Sequence, residues 1–153
     1  MHTRILFVCL GNICRSPLAE GIGRKIAWKN ALEIDVDSAG TGNWHVGESP
    51  CPHSVTVAAQ NGVDISKLRA RQVRIEDFSS FDHIIALDSS NYTDLKHMGC
   101  TKVRKLGEFG LRGEDIPDPY FFKGFEGFER VYRMIETGVC GLYEELGLFS
   151  PRK

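Results

Sequence analysis

A four-stranded parallel sheet wound on both faces by helices is the fold class that this 153-residue sequence predicts, and three features predict it. Short apolar runs alternate with helix-like stretches along the chain, the order expected of right-handed β-α-β crossovers. The first run, Ile5-Leu6-Phe7-Val8, is continuous rather than alternating, as in a strand covered on both faces. The last stretch carries Phe125, Phe128, Tyr132, Ile135, Val139 and Leu142 at spacings of three and four, which marks a long amphipathic helix.

The elements between follow in order. Ser16 suits a helix N-cap and Pro17 the first helical position, and Leu18, Ile22 and Ile26 then form one stripe up to about Lys29. Residues 33 to 38 alternate Ile34 and Val36 with acids, the pattern of a more exposed edge strand, and end at Ala39-Gly40-Thr41-Gly42. Pro52 to Asn61 reads as a helix closed by Gly62. Residues 81 to 87 form a third strand, followed by the cap-like Asp88-Ser89-Ser90-Asn91 and a short helix to about Met98. Lys102 to Leu106 is a weaker fourth strand, and residues 107 to 124 form a loop rich in Gly, Asp and Pro. Neither a repeat nor a linker interrupts the pattern, so one domain over residues 1–153 is expected.

Composition narrows function by exclusion. Lys and Arg number 19 against 20 Asp and Glu, so no overall basic field is available to gather nucleic acid or a membrane surface. No run approaches the length of a membrane span, and the first ten residues do not read as a secretory leader. Five cysteines form an odd and sparse set, unlike a disulfide scaffold, which points to a reducing, cytoplasmic setting. Five histidines without ligand spacing give little reason to expect a metal, and no cofactor is expected.

In a doubly wound sheet, ligands gather where strand carboxyl ends meet helix N-termini. There the sequence reads Cys9-Leu10-Gly11-Asn12-Ile13-Cys14-Arg15-Ser16-Pro17. Successive backbone N–H groups of such a loop form a nest, the helix dipole adds partial positive charge, and Arg15 offers a planar fork for two oxygens. The same fields favour the thiolate of Cys9. Gly11 and Asn12 are residue types that tolerate the positive φ a nest requires. A strand-end cysteine beside an ordinary turn is the plainer reading, but the strand before and the Ser-Pro helix start behind argue against it. Phosphoryl chemistry also needs a proton donor for the leaving oxygen. Asp118, between Pro117 and Pro119, is one candidate, with Asp115 nearby and ordinary turn chemistry as the alternative.

These residues resemble the low-molecular-weight protein tyrosine phosphatases. The resemblance runs from about Ile5 to Leu146 through the Cys9–Pro17 loop, Ser38-Ala39-Gly40-Thr41, Trp44, Asp88-Ser89-Ser90-Asn91 and Asp118-Pro119-Tyr120. It implies a flavodoxin-like sheet and hydrolysis of phosphotyrosine, and of small aryl phosphates, through a cysteinyl-phosphate. Cys9 would be the nucleophile and Arg15 the transition-state clamp. Asp118 would serve as acid and then base, and Ser16 would donate to the sulfur. Leu10, Gly11, Asn12, Ile13 and Cys14 would complete the phosphate-binding loop, with Ser38 and Asn91 bracing it. Trp44, Tyr120 and Phe121 would wall an aromatic cleft, although amphipathic surface packing is the plainer reading of the aromatics. Ile13 looks like the tyrosine-directed members, since phosphoarginine-directed relatives carry Thr there.

The resemblance further implies that Cys14 can form a disulfide with Cys9 under oxidation, against a simple packing role. Two departures stand out. Leu68 replaces the family's His in Leu68-Arg69-Ala70-Arg71, which puts the bracing network around the loop in question. Cys51 stands where relatives often have Asp and receives no role; Cys100 and Cys140 read as packing. The implied partner is a phosphotyrosine protein, a tyrosine autokinase among the candidates, with a monomer or weak self-association and with signal-less release conceivable. A thiol-dependent arsenate reductase on the same fold, or a non-hydrolytic phosphoryl carrier, are the competing functions. The first is disfavoured because Cys100 has no partner cysteine a few residues away, the second because it has no use for Asp118.

Overall fold

A computed structural model describes residues 2–148. It contains four strands, β1 (Thr3–Cys9), β2 (Ile34–Gly40), β3 (His83–Ala86) and β4 (Arg104–Lys105). Five helices are interleaved with them: α1 (Ser16–Lys29), α2 (Pro52–Gln60), α3 (Asp77–Ser80), α4 (Ser89–His97) and α5 (Glu126–Glu145). All pairings are parallel, in the order β2-β1-β3-β4, so the most apolar strand is central. The expected fold class is the observed one. β2 lies at an edge, as its alternation requires.

The period of two along β1 divides the core. Ile5, Phe7 and Cys9 face one side and pack with Leu18, Ile22, Phe128, Ile135 and Val139 from α1 and α5. Leu6 and Val8 face the other, with Phe81, Ile84, Leu95 and Val103. This parity places the Cys9 thiol on the face that α1 covers, at its carboxyl end.

Several boundaries differ from the sequence reading. Ser16 is the first residue of α1 rather than its N-cap, and Arg15 occupies the cap position without a side-chain capping bond. The Ser16 hydroxyl is engaged elsewhere, as described below. β4 is only two residues long, because Leu106–Glu108 turns at once into a 3₁₀ segment. α3 was not anticipated; it is four residues long and its Asp77 carboxylate accepts from the Arg74 N–H. The loop of residues 107 to 124 is ordered by a second 3₁₀ turn, Pro119–Phe121, and by the Ile116 N–H, which donates to Leu87 O at 3.0 Å.

The packing of α1 on α5 depends on a close approach at Gly23. The Tyr143 hydroxyl donates to Gly23 O at 3.1 Å, and a Cβ at Gly23 would stand 2.7 Å from that hydroxyl and 3.3 Å from Val36 Cγ1. Gly23→Ala should therefore destabilise the protein by about 1–3 kcal/mol, as overpacking does. Urea unfolding followed by circular dichroism would show a lowered midpoint with an unchanged slope.

Candidate active site

The loop after β1 is shaped by its second and third connections as well as by its own sequence. Thr41 N–H donates to Cys9 O and Gly42 N–H to Leu10 O, each at 2.9 Å, so the segment after β2 continues to pair along the start of the loop. Asn12 adopts φ 59°, which Asn tolerates better than most residues. Gly11 does not share that conformation; a Cβ there would lie 3.0 Å from the His45 ring, so close approach is what favours glycine.

The Asn12 carboxamide is fully used. Its Nδ2 donates to Ser16 Oγ at 2.7 Å and to Ser38 Oγ at 2.9 Å, and its Oδ1 accepts the Arg71 N–H at 2.9 Å. Ser38 in turn donates to Glu20 Oε1 at 2.7 Å. Leu68 takes no part in this network; its side chain packs against the core. Glu20 was not singled out in the sequence, where one acid in a helix reads as solvated. It is 3% exposed, pairs with Arg24, and burial raises its carboxyl above the ordinary value despite the Ser38 bond and Arg24.

Cys9 is 3% exposed. Its sulfur accepts the Asn12 N–H at 3.3 Å and lies 3.0 Å from Ser16 Oγ. Because Ser16 Oγ already accepts from Asn12, its own proton is free to point at the sulfur. Arg15 is held before any ligand arrives: Nη1 donates to Asp88 Oδ2 at 2.7 Å and to Ile116 O at 2.8 Å. That spends both Nη1 protons and leaves the Nε and Nη2 edge for an anion. The sequence offers Asp88 as a helix cap and as part of the family block, not as a partner of Arg15. It does cap α4, accepting the Asn91 N–H through Oδ1, while Oδ2 fixes Arg15.

Cys9, Leu10, Gly11, Ile13, Cys14, Arg15, Trp44, His45, Asp118 and Tyr120 line one pocket. Asp118 Oδ1 accepts the Tyr120 N–H at 2.9 Å, which leaves its other oxygen for a proton. Asp115 is occupied elsewhere: burial would raise its carboxyl, but Lys105 at 2.9 Å and Ser89 at 3.0 Å hold it below the usual range. Of the two acids, only Asp118 lines the pocket. Trp44 and Tyr120 stand at the rim, 68% and 61% exposed, and Tyr120 meets Phe128 edge-on at 5.2 Å. Phe121 is not in the lining and is 83% exposed. Asn91 is buried, but its Oδ1 has no hydrogen-bond partner, so that atom braces nothing in the loop. His45, beside Glu48 at 3.0 Å, is a wall residue that no spacing marked.

Cys14 is bonded to Cys51, with Cα atoms 5.3 Å apart; Cys9, Cys100 and Cys140 are free thiols. This corrects one expectation, a Cys51 without a role, and gives Cys14 a partner other than Cys9 in this structure. The reason is local. Cys51 N–H donates to Ile13 O at 2.8 Å and Ser54 Oγ to Cys14 O at 2.9 Å, which sets the start of α2 directly against the loop. Cys100 packs in the second core, as expected, whereas Cys140 is only half-buried on α5. Among the described residues, no three His, Cys, Asp or Glu side chains converge to hold a metal ion. No helix of the described residues is long and apolar enough to cross a membrane.

A buried thiol with two polar neighbours, an arginine with one free edge and an acid lining the same pocket are the parts of a phosphatase site. Comparison with known proteins gives the same class. The family model for low molecular weight phosphotyrosine protein phosphatase matches residues 4–148, and the chain belongs to that family. It is 41% identical over 142 residues to the low molecular weight protein-tyrosine-phosphatase YfkJ of Bacillus subtilis, covering 88% of this chain and 89% of the relative. It is 36% identical over 152 residues to low molecular weight phosphotyrosine protein phosphatase 1 of Drosophila melanogaster, covering 95% and 97%. The crystal structure of DARP, a drosophila arginine phosphatase, superposes with a TM-score of 0.88 at 34% identity, covering 97% of this chain and 99% of that one.

Two outcomes follow from the geometry. A Cβ at Gly42 would stand 1.8 Å from the Trp44 ring, and because Trp44 is exposed it would swing away rather than strain the core. Gly42→Ala should raise KM for p-nitrophenyl phosphate severalfold while leaving the melting temperature unchanged.

The second concerns Glu20. A carboxyl raised in the folded state holds its proton more tightly there than in the unfolded chain. Its contribution is therefore fully present below the unfolded value, near 4.5, and is lost as pH rises through the folded one. Urea titrations of wild type and Glu20→Gln should show wild type losing stability relative to the variant between that pH and neutrality.

Proposed function

We propose that this phosphatase hydrolyses phosphotyrosine in proteins, and small aryl phosphates, through a covalent phosphocysteine at Cys9. The observation that carries the reading is the Cys9 sulfur, which accepts the Asn12 N–H and adjoins Ser16 Oγ in the pocket that Arg15 and Asp118 share. In this reading the substrate's non-bridging oxygens lie against the loop N–H groups and the Nε–Nη2 edge of Arg15, and Cys9 attacks phosphorus in line. The bond to the phenolic oxygen breaks as Asp118 delivers its proton. Asp118, now ionised, takes a proton from water, which attacks the phosphocysteine and returns the thiolate; the Ser16 hydroxyl, donating to the sulfur, eases its departure. The positive charge is supplied by Arg15 and backbone amides, so no metal or cofactor enters.

Trp44 and Tyr120 at the rim support an aryl substrate, since a ring can slide between them while its phosphate reaches the floor. Ile13, which lines the pocket, presents no hydroxyl to a guanidinium, which supports tyrosine over arginine as the phosphorylated residue. Protein phosphotyrosine, such as that on a tyrosine autokinase, is the substrate class this fits, with a monomer acting in the cytoplasm.

Cys9→Ser should abolish phosphate release from p-nitrophenyl phosphate, and rapid quenching of wild type should trap a phosphoenzyme the variant lacks. Asp118→Asn should lower kcat about 10²–10⁴-fold for phenyl phosphate. It should cost less for p-nitrophenyl phosphate, whose leaving group needs the proton less. Hydrolysis that survives loss of Cys9 overturns the reading, as does an equal Asp118 effect on both esters.

A further inference from the structure

The Cys14–Cys51 bond ties the phosphate-binding loop to the first turn of α2, and neither sulfur has a part in the hydrolysis described above. Three facts bear on what it does. Cys9 and Cys14 line the same pocket, and Cys51 is already bonded to Cys14, so Cys14 stands between the other two. Cys51 precedes Pro52 as the N-cap of the nine-residue α2, where the helix dipole stabilises a thiolate and makes it both nucleophile and leaving group. The bond also joins a half-exposed cysteine to a buried one, and the three remaining cysteines are unpaired, which is not the pattern of a stapled scaffold.

We propose that Cys51 is the terminal acceptor of oxidation from Cys9, so that the Cys14–Cys51 disulfide is the stored oxidised form of a catalytically competent enzyme. The proposal rests on Cys9 being the reactive thiolate of the site. A hydroperoxide oxidises that thiolate to the sulfenic acid, releasing hydroxide in the case of hydrogen peroxide. The Cys14 thiolate attacks the Cys9 sulfur, forming Cys9–Cys14 and releasing the sulfenic oxygen as hydroxide, protonated to water. Cys51 thiolate then attacks the Cys14 sulfur; the Cys9–Cys14 bond breaks and its electron pair leaves on Cys9. In sum, two thiols supply two electrons to one peroxide, and the nucleophile returns to the thiolate. An external dithiol restores Cys14 and Cys51 by the same exchange, entering at the half-exposed Cys14. The three-cysteine set would thus let the phosphatase reduce peroxide at the expense of thiol.

The test starts from fully reduced, reductant-free protein given one molar equivalent of hydrogen peroxide. Phosphatase activity and non-reducing peptide maps are followed together. Wild type should lose activity and then regain most of it with no thiol present, as Cys14–Cys51 cross-linked peptides appear and Cys9 again becomes open to alkylation. A second equivalent should inactivate it irreversibly, because Cys14 can no longer shield the sulfenic acid. Cys51→Ser, and Cys51→Ala beside it, should match reduced wild type in starting activity but remain inactive with Cys9–Cys14 cross-linked until dithiothreitol is added.

Wild type that stays off, or Cys51 variants that recover equally, would overturn the proposal. Cys9→Ser separates this from failure of the hydrolytic reading. Its Cys14–Cys51 bond should form from peroxide about tenfold or more slowly than in wild type. An equal rate would overturn the relay even where Cys9 proves to be the phosphatase nucleophile.

Discussion

Asn12 holds a left-handed backbone conformation at the centre of the loop, and its carboxamide is what keeps it there. One side chain reaches the helix start through Ser16, the edge strand through Ser38 and the segment after α2 through the Arg71 N–H. Two parts of the chain that lie 26 and 59 residues away, together with the adjoining helix start, are thereby fixed to a loop only a few residues long. Without this bracing, the loop would relax to a turn and the sulfur of Cys9 would lose both of its neighbours. Glu20 extends the same constraint one bond further and accounts for a buried acid in a helix that otherwise packs apolar and small residues.

The sheet contributes direction. An odd-numbered residue at the end of β1 must face α1, so the thiol emerges at the start of that helix and not beneath α4. The Ile116 N–H bond to Leu87 O then carries the Asp118 loop past the ends of the strands, and Ile116 O takes one proton of Arg15. The acid and the arginine are thus positioned by the same peptide group region, which couples the two halves of the chemistry through the backbone.

Much of this was legible in the sequence, because it depends on local pattern. The continuous run at Ile5 to Val8, the Ser-Pro helix start and the spacing along α5 each follow from near-neighbour physics, and the nine residues from Cys9 to Pro17 carry the site's chemistry together. What could not be read depends on pairing across the fold. Asp88 looks like a cap and is one; that its second oxygen would meet Arg15, 73 residues away, is written in no spacing. Glu20 and His45 are ordinary polar residues until burial or a neighbouring wall gives them a role. Cys51 gives no local signal for the same reason, since 37 residues separate it from Cys14. β4 is short because the turn after Lys105 begins too early for its apolar pattern to be used.

Arg15 arrives at the pocket with its rotamer already chosen, one nitrogen tied to Asp88 and to the Ile116 carbonyl. A flexible arginine would surrender side-chain entropy on each encounter with substrate, an amount of up to about 2 kcal/mol. Here that ordering is completed during folding. The donors of Arg15 are prepared independently of the ring, so inorganic phosphate, the product, meets the same groups as the ester did. In the proposed cycle the fixed arginine therefore makes release of the product a step of its own, with free phosphate competing with the ester for the same donors.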